Sequence, residues 1–272
     1  MLKYSISPPS IVSSLWHNRF LIRTLIQREI AGKYRGSVLG LLWAFFNPVF
    51  MLLVYTLVFS VVFKTRWSVG SDSKSEFALV LFAGLIVFNL FAECIGRAPM
   101  LVLSNASYVK RVVFPLEILA WVTMGSAFFH ASVSLLVWLV AYGVVIGMPH
   151  MSVLWMPLVV LPLVFLTMGV SWALASLGVY LRDISQLIGI VITTLMFLSP
   201  IFYPVTALPP DYQFLLFINP LTPIIQMTRD VLYWGNPPNF TVLGLTFVVS
   251  AVVAWLGYAW FQRTRKGFAD VI

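Results

Sequence analysis

The side chains most able to do chemistry in this chain are Glu93, Arg97, Glu117 and His130, which lie within or beside long apolar stretches. Ionisable groups at membrane depth are costly, and they tend either to pair with one another or to carry function. Glu93 and Arg97 stand at a spacing that puts both on one helix face, which favours a structural ion pair. Glu117 follows Pro115 closely and suits the positive end of a helix. His130 is isolated among apolar residues, where a histidine satisfied by its neighbours is a simpler reading than a proton relay. Cys94 is the only cysteine, which excludes an intrachain disulfide and a cysteine-based metal site. There is no HExxH pair, no Cys/His cluster and no pair of carboxylates at a common level, so no metal, cofactor or catalytic residue is expected. A GxxxxGK[ST] phosphate loop is also missing, because Gly32-Lys33 lacks the earlier glycine and the following hydroxyl. Any use of ATP therefore needs a partner.

Two further groups are candidates for binding rather than catalysis. Arg19, Arg23, Arg28, Lys33 and Arg35 are spread over a segment in which Leu15, Ile22, Ile26 and Ile30 share a stripe. That pattern predicts an interfacial helix over residues 15–35 whose long basic side chains reach toward phosphates. Phe202, Tyr203, Tyr212, Phe214 and Phe217 concentrate in a stretch with prolines at 200, 204, 209, 210, 220 and 223. Such rings serve as packing and interfacial belt, or they stack on the C–H faces of sugars as a polymer-contacting gate.

The elements that must position these residues are membrane spans. Hydrophobic residues make up 60% of the 272-residue chain and charged residues only 10%, whereas a soluble domain carries about 25% charged residues. Residues 38–63 run without a charge, longer than the roughly 20 residues a helix needs to cross a bilayer, and Asn47-Pro48 invites a kink there. Further apolar stretches at 77–96, 116–147, 152–180, 185–199 and 241–261 predict an all-α integral membrane protein with six transmembrane helices in one domain, 1–272. The Pro-rich residues 200–236 are too apolar for a solvated loop and too broken for a span, so they are expected to form re-entrant helices packed in protein. With both termini inside, 13 of the 17 Lys and Arg fall on the cytoplasmic side and 4 outside. The positive-inside rule thus fixes the orientation and accounts for the net charge of +8 without any nucleic acid. No signal-peptide pattern fits the N-terminus, and no internal repeat is visible.

Four segments then match a known family in order: LIQREIAGKYRGSVLGLLWAFFNPVFMLLVYTLVFSVVFKTRW, NASYVKRVVFP, NPLTPIIQMTR and FQRTRKGFADVI. Together they resemble the type-2 ABC export permeases that move bacterial cell-surface polysaccharides, over essentially the whole chain. KYRGSVLG and the W…NP pattern are most similar to the O-antigen branch. Capsule and teichoic-acid permeases share the architecture, and drug or lipid exporters share the fold. The resemblance implies a multi-pass protein of the bacterial inner membrane, not itself an enzyme, in which two copies pair with two copies of an ATP-hydrolysing subunit. The cargo would be a polysaccharide linked to undecaprenyl diphosphate. Arg19, Arg23, Arg28, Lys33 and Arg35 would meet membrane lipids or the diphosphate. Residues 97–115, with Asn105, Ser107, Tyr108, Lys110 and Arg111, would contact the ATPase, and residues 200–236 would form the outer gate. An intramembrane transferase is the rival from another class, and Glu93, Arg97 and His130 are its only candidate site.

Overall fold

Proline holds φ near its helical value and has no N–H to leave unsatisfied, so Pro8-Pro9 starts a helix directly after Ser7. A computed structural model of the chain describes residues 6–58, 74–109 and 114–272, and every regular element among them is helical. The first helix, α1 (Pro8–His17), stops at Asn18, whose side chain donates to the Ser14 carbonyl at 2.8 Å, and α2 (Arg19–Tyr34) follows. The interfacial helix expected over 15–35 is therefore two helices. Asn18 departs from helical geometry (ψ 12°) and turns the backbone, a break that the apolar stripe alone does not reveal.

After α2 the backbone at Gly36 takes φ +84°, and a short 3₁₀ turn, Gly40–Leu42, leads into α3 (Trp43–Leu57). The remaining α-helices among the described residues are α4 (Lys74–Arg97), α5 (Ala106–Val109), α6 (Ile118–Val145), α7 (Met156–Tyr180), α8 (Ile184–Leu198), α9 (Pro210–Ile218), α10 (Leu221–Arg229), α11 (Phe240–Thr264) and α12 (Phe268–Val271). Among the described residues, 5 helical segments are long and apolar enough to cross a membrane: Gly40–Leu57, Glu76–Met100, Ile118–Val145, Met151–Tyr180 and Phe240–Val271. The stretch expected as a further span is α8, whose 15 residues reach only about 22 Å at 1.5 Å per residue. The end of the first expected span, residues 59–63, lies outside the described residues.

Helix α4 occupies the centre. Phe77, Leu81, Leu85, Phe88 and Ile95 are almost wholly buried, and α3, α6, α7, α8 and α10 surround it. Around this axis α7 and α11 form the most extensive pairing, made possible by two glycines. A Cβ on Gly257 would stand 2.0 Å from the Gly169 carbonyl oxygen, and one on Gly169 would stand 2.4 Å from that of Val253. This is the small-residue seam by which helices approach closely without a hydrophobic driving force. Helix α2 docks on α6 by the same device. Ile22 packs with Ile118 and Val122, and Ile26 lies where a Cβ on Gly125 would be.

Candidate functional site

Elements from both ends of the chain meet at one end of the bundle. Arg265, just after α11, bonds the Glu117 carboxylate at 2.6 Å and the Phe114 carbonyl at 2.6 Å, while Ser14 of α1 donates to the other Glu117 oxygen at 3.1 Å. Trp172 of α7 donates its ring N–H to the Glu117 carbonyl at 3.0 Å. Glu117 does precede a helix, as expected, but its carboxylate is spent on this nearly buried pair and makes no capping bond. Breaking such a pair leaves an uncompensated charge, so the node fixes the four segments relative to one another.

A second polar cluster lies on the neighbouring face, between α2, α4 and α6. The His130 Nδ1 is 2.9 and 3.0 Å from the two Glu93 oxygens, and its Nε2 is 3.1 Å from the Tyr34 hydroxyl. A carboxylate can only accept, which puts a proton on Nδ1; in the neutral ring Nε2 then accepts from Tyr34. Burial first, and then the Glu93 charge, raise the Tyr34 pKa, which keeps it a donor. Lys33 reaches Glu93 at 3.3 Å. Arg97 stands 4.0 Å from Glu93 but 2.6 Å from Glu29 of α2, so its tighter partner is on another helix. Glu93 and Arg97 lie one turn apart on α4, and their spacing could not disclose Glu29, which is distant in sequence. Lys33, Tyr34, Glu93 and His130 of this cluster form part of the wall of a cavity of about 520 Å³, whose other lining residues come from α3, α4 and α6.

Residues 97–109, which lead away from α4, run through two 3₁₀ turns, Ala98–Met100 and Leu103–Asn105, into α5. Asn105 uses its amide internally, donating to the Leu101 carbonyl at 2.9 Å, while Ser107 is exposed. Tyr108 stacks on Phe114 with ring centroids 4.2 Å apart and planes 7° from parallel. Through Phe114, this segment is tied to Arg265 and Glu117. Lys110 and Arg111 lie outside the described residues.

The five basic residues of the N-terminal region do not form one cluster. Arg19 donates to the Trp16 carbonyl at 3.1 Å and sits over the Trp16 and Phe20 rings at 4.8 and 4.7 Å, Lys33 is engaged by Glu93, and Arg28 lines a small pocket with Glu29, Arg97, Asn105 and Tyr108. Arg23 and Arg35 are exposed.

The aromatic residues at the opposite end also divide. Tyr203 donates to the Phe197 carbonyl at 2.8 Å and Phe202 packs 5.7 Å from the Phe197 ring, whereas Tyr212 and Phe214 on α9 are exposed. The Phe217 side chain lies outside what is described. What the sequence reading missed here is Arg229. It is 4% exposed and donates to the carbonyls of Val80 at 3.0 Å, Pro200 at 2.5 Å and Ile201 at 2.8 Å. It pins α10 and the end of α8 to α4. The available signal was a lone arginine in an apolar, Pro-broken stretch, which a topology count treats only as an outside charge.

Comparison with known proteins places these features in a lineage. Over 267 residues the chain is 28% identical to the O-antigen export system permease protein RfbA of Myxococcus xanthus, covering 96% of this chain and 99% of that protein. It is 27% identical over 270 residues to the capsule polysaccharide export inner-membrane protein CtrC of Neisseria meningitidis serogroup B, covering 95% and 96%. With the polysialic acid transport protein KpsM of Escherichia coli it shares 23% identity over 246 residues, covering 90% and 93%. The family profile described as ABC-2 type transporter matches residues 20–233, most of the chain, and the protein therefore belongs to the ABC-2 type transporter family.

Proposed function

We propose that this protein is the transmembrane permease of an ATP-driven exporter of undecaprenyl-diphosphate-linked O-antigen polysaccharide. The chain itself is not an enzyme, and in its family ATP is hydrolysed by a separate subunit. The observation that carries the proposal is the end-to-end similarity to proteins named as O-antigen export permeases, 96% of this chain against 99% of one of them. The capsule export proteins match over comparable lengths, so capsule polymer is the alternative cargo.

In this reading two copies of the chain assemble with two ATPase subunits in the bacterial inner membrane, with both termini cytoplasmic. Six helices cross, with α8 as a short fifth span, and residues 200–236 form the outer gate as re-entrant helices. Helices α1 and α2 lie at the cytoplasmic interface, where Arg19, Arg23 and Arg35 face lipid phosphates. Residues 97–115 receive the stroke of the ATPase. Support comes from the way Tyr108, Phe114, Glu117 and Arg265 tie that segment to the bundle, since a segment that transmits force must be stiffly mounted.

Deleting the chain in its host and locating the polysaccharide tests the cargo. Lipid-linked polymer should accumulate in the cytoplasm with none at the surface, and normal surface polymer would refute the assignment. Charge reversal of Lys110 and Arg111 tests the docking segment. Assembly with the ATPase, or its coupled activity, should fall; if both stay intact, the segment is not the contact.

A further inference from the structure

The cavity between α3, α4 and α6 is lined by polar groups that the Glu93 network leaves unused. Asn47 on α3 and Asn89 on α4 are exposed along it, and among the described residues neither amide has a hydrogen-bond partner. Asn89 is conspicuous because Phe88 and Leu90 on either side are buried. An amide at membrane depth persists where it meets protein or a water-filled cavity, and here it faces about 520 Å³ of open space, within the range of small-molecule sites. Trp43 and Tyr55 add aromatic faces to the same walls, and Ser134 a hydroxyl.

The chemistry of this set selects a ligand class. A carboxamide offers both donors and an acceptor, which suits vicinal hydroxyls, and an indole or phenol face suits the C–H face of a pyranose ring. Charge argues against an anion, because Lys33 is engaged by Glu93 at 3.3 Å and the two formal charges offset each other. We infer that this cavity is a subsite for a neutral sugar unit of the transported polymer, with Asn47 and Asn89 as its hydrogen-bonding groups and Trp43 as its stacking face. The assignment rests on the polysaccharide-export reading, and it puts a sugar contact within one protomer, bordered by the end of α2 at Lys33 and Tyr34 and separate from the aromatic residues of 200–236.

The sole cysteine makes the test direct. Cys94 is buried, so a Cys94→Ala background carrying Asn89→Cys or Asn47→Cys reports from the cavity alone. Cells holding the full exporter are treated with N-ethylmaleimide, with and without a block in polymer synthesis. Labelling at both positions should be several-fold slower when polymer is made, while Ser13→Cys on the exposed face of α1 labels alike in both states. Equal labelling at the cavity positions, with export intact, identifies a water-filled cavity only and overturns the proposal. Should deletion of the chain leave surface polymer unchanged, the export reading fails instead, so the two failures are distinguishable. As a second measurement, Asn47→Leu and Asn89→Leu should each slow export, with polymer retained inside, at wild-type amounts of assembled complex. Unimpaired export in both variants would also sink the subsite.

Discussion

Helices α3 and α4 are both apolar enough to span a bilayer, with mean hydropathies of 1.7 and 2.3, yet 83% of the α4 window is buried inside the protomer and only 6% of the α3 window. Helix α4 is the axis on which the other helices pack. Helix α3 touches α4 and α6 along one side and leaves Phe45, Phe50, Leu53, Val54 and Leu57 uncovered. Hydropathy measures what a residue avoids, which is water; lipid, a neighbouring helix and a second copy of the chain satisfy it equally. The difference between the two helices is made by shape. Gly84 and Gly96 let α4 come close to Arg229 and Ile192, while α3 spends its neighbouring face on a cavity.

The largest expected effect lies where α4 is held. Arg229→Ala would remove the donor to the carbonyls of Val80, Pro200 and Ile201. The Val80 carbonyl keeps its bond within α4, but those of Pro200 and Ile201 lose this donor. A buried acceptor left unsatisfied costs about 1–3 kcal/mol, so the variant should melt well below the wild type, or fail to accumulate, when its thermal stability is followed in detergent. An unchanged melting temperature would mean that α4 does not anchor the far end of the bundle. Gly84→Ala is the milder form of the same test. Its Cβ would sit 3.0 Å from the Arg229 guanidinium and 3.2 Å from Ile225, and overpacking of this kind costs roughly 1–3 kcal/mol. A smaller drop in melting temperature, absent when Arg229 is already replaced, would show that the two residues act through one contact.

The helical pattern and the existence of the long helices were legible in the sequence because apolar length and the positions of charges are local properties. Which spans are central was not. Leu85 of α4 and Leu53 of α3 are the same residue type in similarly apolar runs, and only the packing separates them. The candidate site divides the same way. Glu93 and Arg97 were recognised from their spacing, and His130 from its isolation. Tyr34 reaches His130 across 96 residues and Arg265 reaches Glu117 across 148, Glu29 is likewise far in sequence from Arg97, and no local pattern announces them. The break at Asn18 is a lesser case, one residue whose side chain competes for the helix backbone.

The smallest effect is expected on α3, and it decides what covers that helix. Leu53 is 59% exposed in the protomer, so Leu53→Ala should alter protomer stability by no more than about 0.5 kcal/mol. Lipid would accept the substitution with no further consequence, whereas a second copy packed against this face would lose a contact at each side of a symmetric interface. The measurement is therefore association rather than melting. With Cys94 replaced by alanine, a cysteine at Val54 on the bare face should form an intermolecular disulfide in membranes under mild oxidation, and adding Leu53→Ala should lower its yield. No cross-link from any exposed α3 position would assign the face to lipid. A cross-link would explain how a helix so poorly buried in its own protomer is retained: its packing is completed by the partner, and the cavity it borders would then open beside the interface between two copies.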